Sequence, residues 1–194
     1  MLSQLRPAFV SMALFTGVLG LAYPLAVTGI AQAALPAQAN GSLIVDNGKT
    51  VGSALIAQGF TGDGYLHPRP SAAGKGYDAA GSSGSNYGPL NPDYAARVKT
   101  DADTLRAQSP APIPVDAVTT SGSGLDPDVS PANAERQVGR IAAARNLPAS
   151  NVRAAIAAAT QAPALGFLGR QRVNVLRVNL ALDAASRTAQ RPAR

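Results

Sequence analysis

His67 is the only histidine in the chain, and it lies in Leu66-His67-Pro68-Arg69-Pro70-Ser71. A nucleophilic triad needs a base held against a hydroxyl and oriented by a third group, and a serine four residues away in a proline-rich loop supplies no such geometry. A metal site would have to join this imidazole to scattered carboxylates such as Asp63 and Asp78, a thin donor set. With no cysteine in the sequence, thiolate ligands and disulfides are excluded. There is no GxxxxGK[ST], and the glycines of Gly81 to Gly88 and Gly122 to Gly124 do not complete GxGxxG between a strand and a helix. Both pieces read as turns that need glycine backbone angles. The expectation is a chain with no catalytic residue, no metal site and no tightly bound cofactor.

The elements around these residues begin with an apolar N-terminus. No charge falls between Arg6 and Asp46. That stretch exceeds the about 20 apolar residues needed to cross a bilayer. A helix over residues 7–34 is therefore expected to span a membrane, after a short segment 1–6. The competing reading is a cleaved signal peptide, with Ala31-Gln32-Ala33 as a small-x-small site, but its apolar region is usually only about 7–15 residues long. Tyr23-Pro24 should kink the span. Gly17 and Gly20 would let another helix approach closely. Arg6 precedes the span and no Lys or Arg follows it until Lys49. The charge rule therefore puts the N-terminus in the cytoplasm and the rest outside.

The chain is 46% hydrophobic and 14% charged, against about 25% charged for soluble domains, which fits a membrane-anchored class. Its net charge of +6 is spread along the sequence, so a solvated basic face is expected and no nucleic-acid partner. Residues 36–185 suit one domain, with a basic tail at 186–194 carrying Arg187, Arg191 and Arg194.

Within that domain, Asn47-Gly48 between two β-rich runs predicts a hairpin near the membrane exit. Residues 59–92 form a loop far longer than the usual about 4–6 residues, with Phe60, Tyr65, Tyr77 and Tyr87 expected to pin it down. Asn91-Pro92 and Ser130-Pro131 each start a helix, to about residue 108 and to near Asn146. Pro110, Pro112 and Pro114 make a stiff linker, and Val115 to Thr119 reads as a short strand. A third helix follows from a Ser150 cap through Val152, Ile156 and Ala159. Leu176, Val178, Leu180 and Leu182 alternate with Arg177, Asn179, Ala181 and Asp183, the period of a half-buried strand. The fold class is a membrane-anchored α+β protein, one transmembrane helix followed by a single extracytoplasmic α+β domain with long Gly/Ser/Pro-rich loops.

Several phrases carry more than local structure. Gly52 to Gln58, Tyr65-Leu66-His67-Pro68-Arg69-Pro70-Ser71-Ala72-Ala73, Gly84-Ser85-Asn86-Tyr87-Gly88-Pro89-Leu90-Asn91-Pro92 and Val118-Thr119-Thr120-Ser121-Gly122-Ser123-Gly124-Leu125-Asp126-Pro127 occur in this order. With Arg172 to Leu176, Asn179 to Asp183, and Leu5-Arg6-Pro7-Ala8 before the Tyr23-Pro24 of the span, they resemble the KdpC family, the C subunit of the Kdp potassium-transporting ATPase. The resemblance covers residues 5 to 183, with departures at Leu66, Tyr87 and Asp128.

The resemblance implies a non-catalytic subunit of a high-affinity, ATP-driven potassium importer in the bacterial inner membrane. Its partners would be a channel-like A subunit, a P-type ATPase B subunit, a small F peptide and the lipid bilayer, with ATP and K+ handled by the complex. It also implies a catalytic chaperone that raises the ATP affinity of the hydrolysing subunit, with Gln137 matching the glutamine concerned. Because the charge rule puts Gln137 outside and ATP is cytoplasmic, such an effect would be a coupling free energy carried through the membrane subunits. His67, Arg69, Ser71, Asn86, Ser121, Ser123 and Asp126, in the loop motifs, are the candidate interface residues. A second expectation is that loops 60–92 and 119–130 cap the outer mouth of the channel subunit. From a different class, the rival is a secreted hydrolase or envelope-binding module released at Ala34.

Overall fold

The computed structural model describes residues 4–189. The chain divides into two compact units, Met1–Val51 and Gly52–Arg194.

In the first unit, helical residues run without a break from Leu5 to Ala34, 30 residues with a mean hydropathy of 1.8 in the most apolar stretch and no burial. That is long and apolar enough to cross a membrane. It comprises α1 (Leu5–Phe15), a π-helical stretch over Thr16–Ala22, and α2 (Tyr23–Ala34). Pro24 explains the π stretch. It has no N–H to give, and its ring would strike the carbonyl four residues back. The turn before it widens to the i−5 register, in which the Tyr23 N–H reaches the Val18 carbonyl. Ser11, within the same apolar run, satisfies its hydroxyl on the Pro7 carbonyl at 2.8 Å.

After α2 comes a single turn, α3 (Pro36–Ala39), where the side-chain amides of Gln32 and Asn40 exchange hydrogen bonds of 3.2 and 3.0 Å. A two-stranded hairpin follows, β1 (Leu43–Asp46) and β2 (Lys49–Ser53). Asn47 and Gly48 take φ of 50° and 78°, the two positive angles that a tight hairpin turn requires.

The second unit is a mixed helix and sheet domain. From Ala54 to Asn91 there is no helix or strand. α4 (Pro92–Gln108) starts where Asn91 accepts from the amides of Asp93 and Tyr94, the cap that Asn-Pro signals. A half-buried stripe, Tyr94, Val98, Ala102 and Leu105, runs along it at helical spacing. The expected strand at Val115 to Thr119 is instead a 3-10 turn, Val115–Ala117. Its backbone bonds close locally, Ala117 to Pro114 at 3.0 Å and Val118 to Val115 at 3.2 Å, and the turn aims Asp116 at the helix that follows.

β3 (Asp128–Val129) leads into α5 (Pro131–Arg145), then α6 (Ala149–Ala158), β4 (Thr160–Gln161), β5 (Arg172–Asn174) and α7 (Val175–Ala189). β5 is the middle strand, antiparallel to both neighbours, with Val173 opposite Val129 on one side and Thr160 on the other. Ser130 caps α5 by accepting from the Asn133 amide, and Asn146 ends it at φ 51°. α5 and α6 form the expected helical hairpin, although α6 starts after Pro148 with no side-chain cap, so Ser150 does not serve as one.

The run from Leu176 to Leu182 is helix, not strand. The buried positions are Val175, Leu176, Val178, Asn179 and Leu182, spaced for a 3.6-residue period, whereas a period of 2 leaves out Val175 and Asn179. Asn174 fixes the start of α7 by accepting from the Arg177 amide at 3.1 Å. The core joins Leu66, Val129, Val138, Ile141, Val152, Val173, Val178 and Leu182. Arg187 lies in the last turn of α7, while Arg191 and Arg194 of the expected tail lie outside the described residues.

Candidate functional site

The long loop is fastened to the helices by side-chain amides. At Leu66, Asn179 of α7 accepts from the backbone N–H at 2.7 Å and donates to the carbonyl at 3.0 Å. At the next residue, Gln137 of α5 accepts from the His67 N–H at 2.8 Å and donates to the His67 carbonyl at 3.1 Å. Each amide thus supplies what a neighbouring strand would, without a strand. Gln137 also donates to Asn133 at 3.1 Å and accepts from Arg140 at 2.7 Å. Arg140 goes on to the carbonyls of Asp63 and Tyr65.

The aromatics do pin the loop. Phe60 and Tyr65 stack with centroids 5.5 Å apart, and the Arg145 guanidinium lies 4.7 Å over Tyr65 while pairing with Asp183 at 2.7 Å. Tyr87 meets Tyr94 of α4. Burial raises the pKa of Tyr77, whose hydroxyl donates to the Arg69 carbonyl at 2.7 Å.

Beyond His67, the loop is stapled to residues 118–126. Arg69 pairs with Asp126 at 2.8 Å and donates to the carbonyls of Thr119 and Thr120. Ser71 donates to the Gly124 carbonyl at 2.6 Å while accepting from the amides of Ala73 and Tyr77. The Ser123 carbonyl accepts from the Ser83 amide and the Ser82 hydroxyl, and the Ser123 and Ser121 hydroxyls lie 3.3 Å apart. Gly124, at φ 66°, has the Ser83 oxygen 2.5 Å from where a Cβ would stand. Only glycine fits there.

His67, Arg69, Ser71, Ser121, Ser123 and Asp126 are therefore gathered along one stapled pair of segments. Asn86 is not among them; it is exposed, at φ 54°. Ser71 does not meet the His67 ring, whose Nε2 is 3.0 Å from the Gly62 carbonyl. That distance fits the tautomer with the proton on Nε2. Burial lowers the His67 pKa, outweighing the hydrogen bond to the Gly62 carbonyl, which acts to raise it, and the nearby Arg140 adds to the lowering. Among the described residues no three His, Asp or Glu gather as a metal site.

Two cavities flank the stapled segments. One, of about 530 Å³, lies between His67, Leu105, Ser109, Arg136, Gln137 and Arg140. Arg136 spans its wall by donating to the carbonyls of Leu105 and Ser109, which ties the end of α4 to α5. The other, of about 610 Å³, is lined by Arg69, Asp116, Asp126, Asp128, Arg170 and Arg172. Asp128, half-buried, has its pKa raised by that burial although it pairs with Arg172 at 2.9 Å.

An apolar helix long enough to span a bilayer, joined to a mixed helix and sheet domain whose long loop is clamped by side-chain amides, fits a single-pass membrane protein. A family described as KdpC, the c chain of K+-transporting ATPase, matches residues 5–184. The chain is 67% identical to a potassium-transporting ATPase KdpC subunit of Caulobacter vibrioides, over 95% of this chain and 94% of that one. It is 57% identical to one of Beijerinckia indica, over 95% of each, and 54% to one of Methylorubrum extorquens, over 96% and 100%. The chain belongs to the KdpC family.

Sequence reasoning missed Asn179, Arg140 and Arg145, which hold the loop in place. Asn179 carried the signal of a polar residue at a helical core position of α7.

Proposed function

We propose that the chain is an accessory, non-catalytic subunit of an ATP-driven, high-affinity potassium import complex, assembled with a channel-like A subunit, a P-type ATPase B subunit and a small F peptide. In this reading the N-terminus faces the cytoplasm of a bacterial inner-membrane protein, and the α+β domain is extracytoplasmic. The charge asymmetry around the apolar helix supports that orientation. The observation that carries the proposal is the stapling of loop to loop. The segments whose wording is shared with the family are held rigid by Asn179, Gln137, Arg69 and Ser71, and a pre-set surface loses little entropy on association.

Co-purification tests it. A tagged chain should bring down a P-type ATPase and a channel-like subunit with potassium-stimulated ATPase activity. Recovery of the chain alone from intact membranes would sink the reading.

In the same proposal the chain raises the ATP affinity of the hydrolysing subunit, and Gln137 contributes to this indirectly. Its amide is occupied by His67, Asn133 and Arg140, so its influence on nucleotide passes through the shape of the loop and the subunit contacts. A second reading gives the domain a cap over the channel mouth. It is favoured by Arg69, which ties the loop to the Thr119 and Thr120 carbonyls. Changing Arg69 and Asn86 should then alter assembly or the potassium KM, and unchanged values of both would remove it.

A further inference from the structure

α4 sits on its domain differently from the helices that follow it. α5, α6 and α7 each carry fully buried side chains, such as Ile141, Val152 and Val178. None of the 17 residues of α4 is buried. Its stripe of Tyr94, Arg97, Val98, Asp101, Ala102 and Leu105 is covered only in part.

The chain is anchored on both sides of this helix. Before it, Ser83 bonds to the Ser123 carbonyl at 3.0 Å and Gly84 lies against the Gly122 backbone. After it, Asp116 holds the Ser130 amide and hydroxyl. Between these anchors, the polar contacts of the described residues close within the segment, as Asn91 does on Asp93 and Tyr94, and Lys99 on Asp103. The exception is Arg136 of α5, which donates to the Leu105 and Ser109 carbonyls. A guanidinium suits this place, because the helix dipole favours a cation at the C-terminal end.

The contact is a strained one. Among the described residues, the buried side-chain nitrogens without a hydrogen-bond partner are Nε and Nη2 of Arg97 and Nε of Arg136. Arg97 belongs to α4 and Arg136 is what holds it. Asp101 comes no nearer to Arg97 than 4.0 Å, at Nη1. Shutting charged N–H groups away from water with no acceptor opposes the closed position, and lifting α4 would return them to solvent. Beneath the end of α4, at Leu105, Gln108 and Ser109, lies the cavity of about 530 Å³ whose far wall holds His67, Gln137 and Arg140.

We propose that α4 is a hinged lid, latched by Arg136, that lifts off and opens the Gln137 cavity while α5, α6 and α7 stay folded. Thin apolar packing, one latching side chain and unpaired donors at the contact make the closed position a shallow minimum, the property of elements that open locally. The lid belongs to this chain alone and stands whether or not the accessory-subunit reading does. It supplies a second position of the kind that coupling between distant sites needs.

Amide hydrogen exchange of the full chain in detergent tests it. A lone helix of 17 residues is marginal in water, so the amides of α4 exchange once it lifts. They should exchange as a block, at least about tenfold faster than those of α5 and α7. R136Q should quicken α4 by about a further tenfold and leave α5 and α7 unchanged. R97M should slow α4 severalfold, because methionine and arginine have similar helix propensity and only the shielded donors are lost. Protection of α4 equal to that of α5 overturns the lid. Quickening of all three helices by R136Q assigns Arg136 to the whole fold and rejects the latch. Faster exchange of α4 in R97M overturns the strained contact and the shallow minimum with it.

Discussion

Asn179 of α7 holds Leu66 by both ends of its peptide backbone, accepting at 2.7 Å and donating at 3.0 Å across 113 residues of sequence. Both residues are buried, Leu66 fully and Asn179 to 1% exposure. Asn179→Ala leaves a buried N–H and a buried carbonyl with no partner. The expected cost is about 2–5 kcal/mol, read as a lower denaturation midpoint of the full chain in detergent. A midpoint within error of the parent would show that the clamp is dispensable.

Gln137 acts one residue further along, and two substitutions separate its roles. Gln137→Ala removes both contacts to His67, whereas Gln137→Glu keeps the acceptor for the His67 N–H and for Arg140 and loses the donor to the carbonyl. Amide hydrogen exchange at Leu66 and His67 should quicken for Gln137→Ala more than for Gln137→Glu. If the ATP KM of the complex follows the same order, the influence on nucleotide runs through loop rigidity. If Gln137→Glu alone alters KM while exchange is unaffected, the indirect account fails.

Gly124 is the least replaceable glycine of the stapled segments. A methyl there would meet the Ser83 oxygen at 2.5 Å and the Ala73 nitrogen at 2.7 Å, at a φ of 66°. Gly124→Ala combines backbone strain with a clash against backbone atoms, so a loss of about 3 kcal/mol or more is expected. Gly122 serves as the comparison, because a methyl group added there would meet nothing within 4 Å. Gly122→Ala should cost far less by the same unfolding measurement.

His67 makes stability depend on pH. Burial lowers its pKa below the ordinary 6.5, so the unfolded chain takes up a proton at a higher pH than the folded one does. The stability this neutral ring contributes is complete above 6.5 and declines as pH falls from there toward the folded-state value. His67→Gln should flatten that part of a stability-against-pH curve. A curve with the same slope for both chains would assign the effect to other groups.

Local punctuation was legible because its physics is local. Asn91-Pro92, Ser130-Pro131 and Asn47-Gly48 act on neighbours a few residues away, and each does in the fold what its wording predicts. The amide clamps were not legible, since Gln137 and Asn179 find their partners 70 and 113 residues off. α7 was hidden for a different reason. Over seven residues a period of 2 and a period of 3.6 share several positions, and Asn179, polar but buried, falls on the solvent side of a strand pattern. The strand expected at Val115 gave way to a turn because Asp116 binds the Ser130 amide and hydroxyl, both at 2.8 Å.

The π-helical stretch over Thr16–Ala22 changes how the apolar helix must be drawn as a wheel. Each residue of an α-helix advances the azimuth by about 100°, and a residue accommodated in a wider turn sets everything beyond it out of phase by about that amount. A single wheel run from Phe9 to Ile30 therefore assigns one of the two to the wrong meridian. Mutational scans of this helix should be plotted as two wheels, one for Leu5–Phe15 and one for Tyr23–Ala34, each with its own bearing.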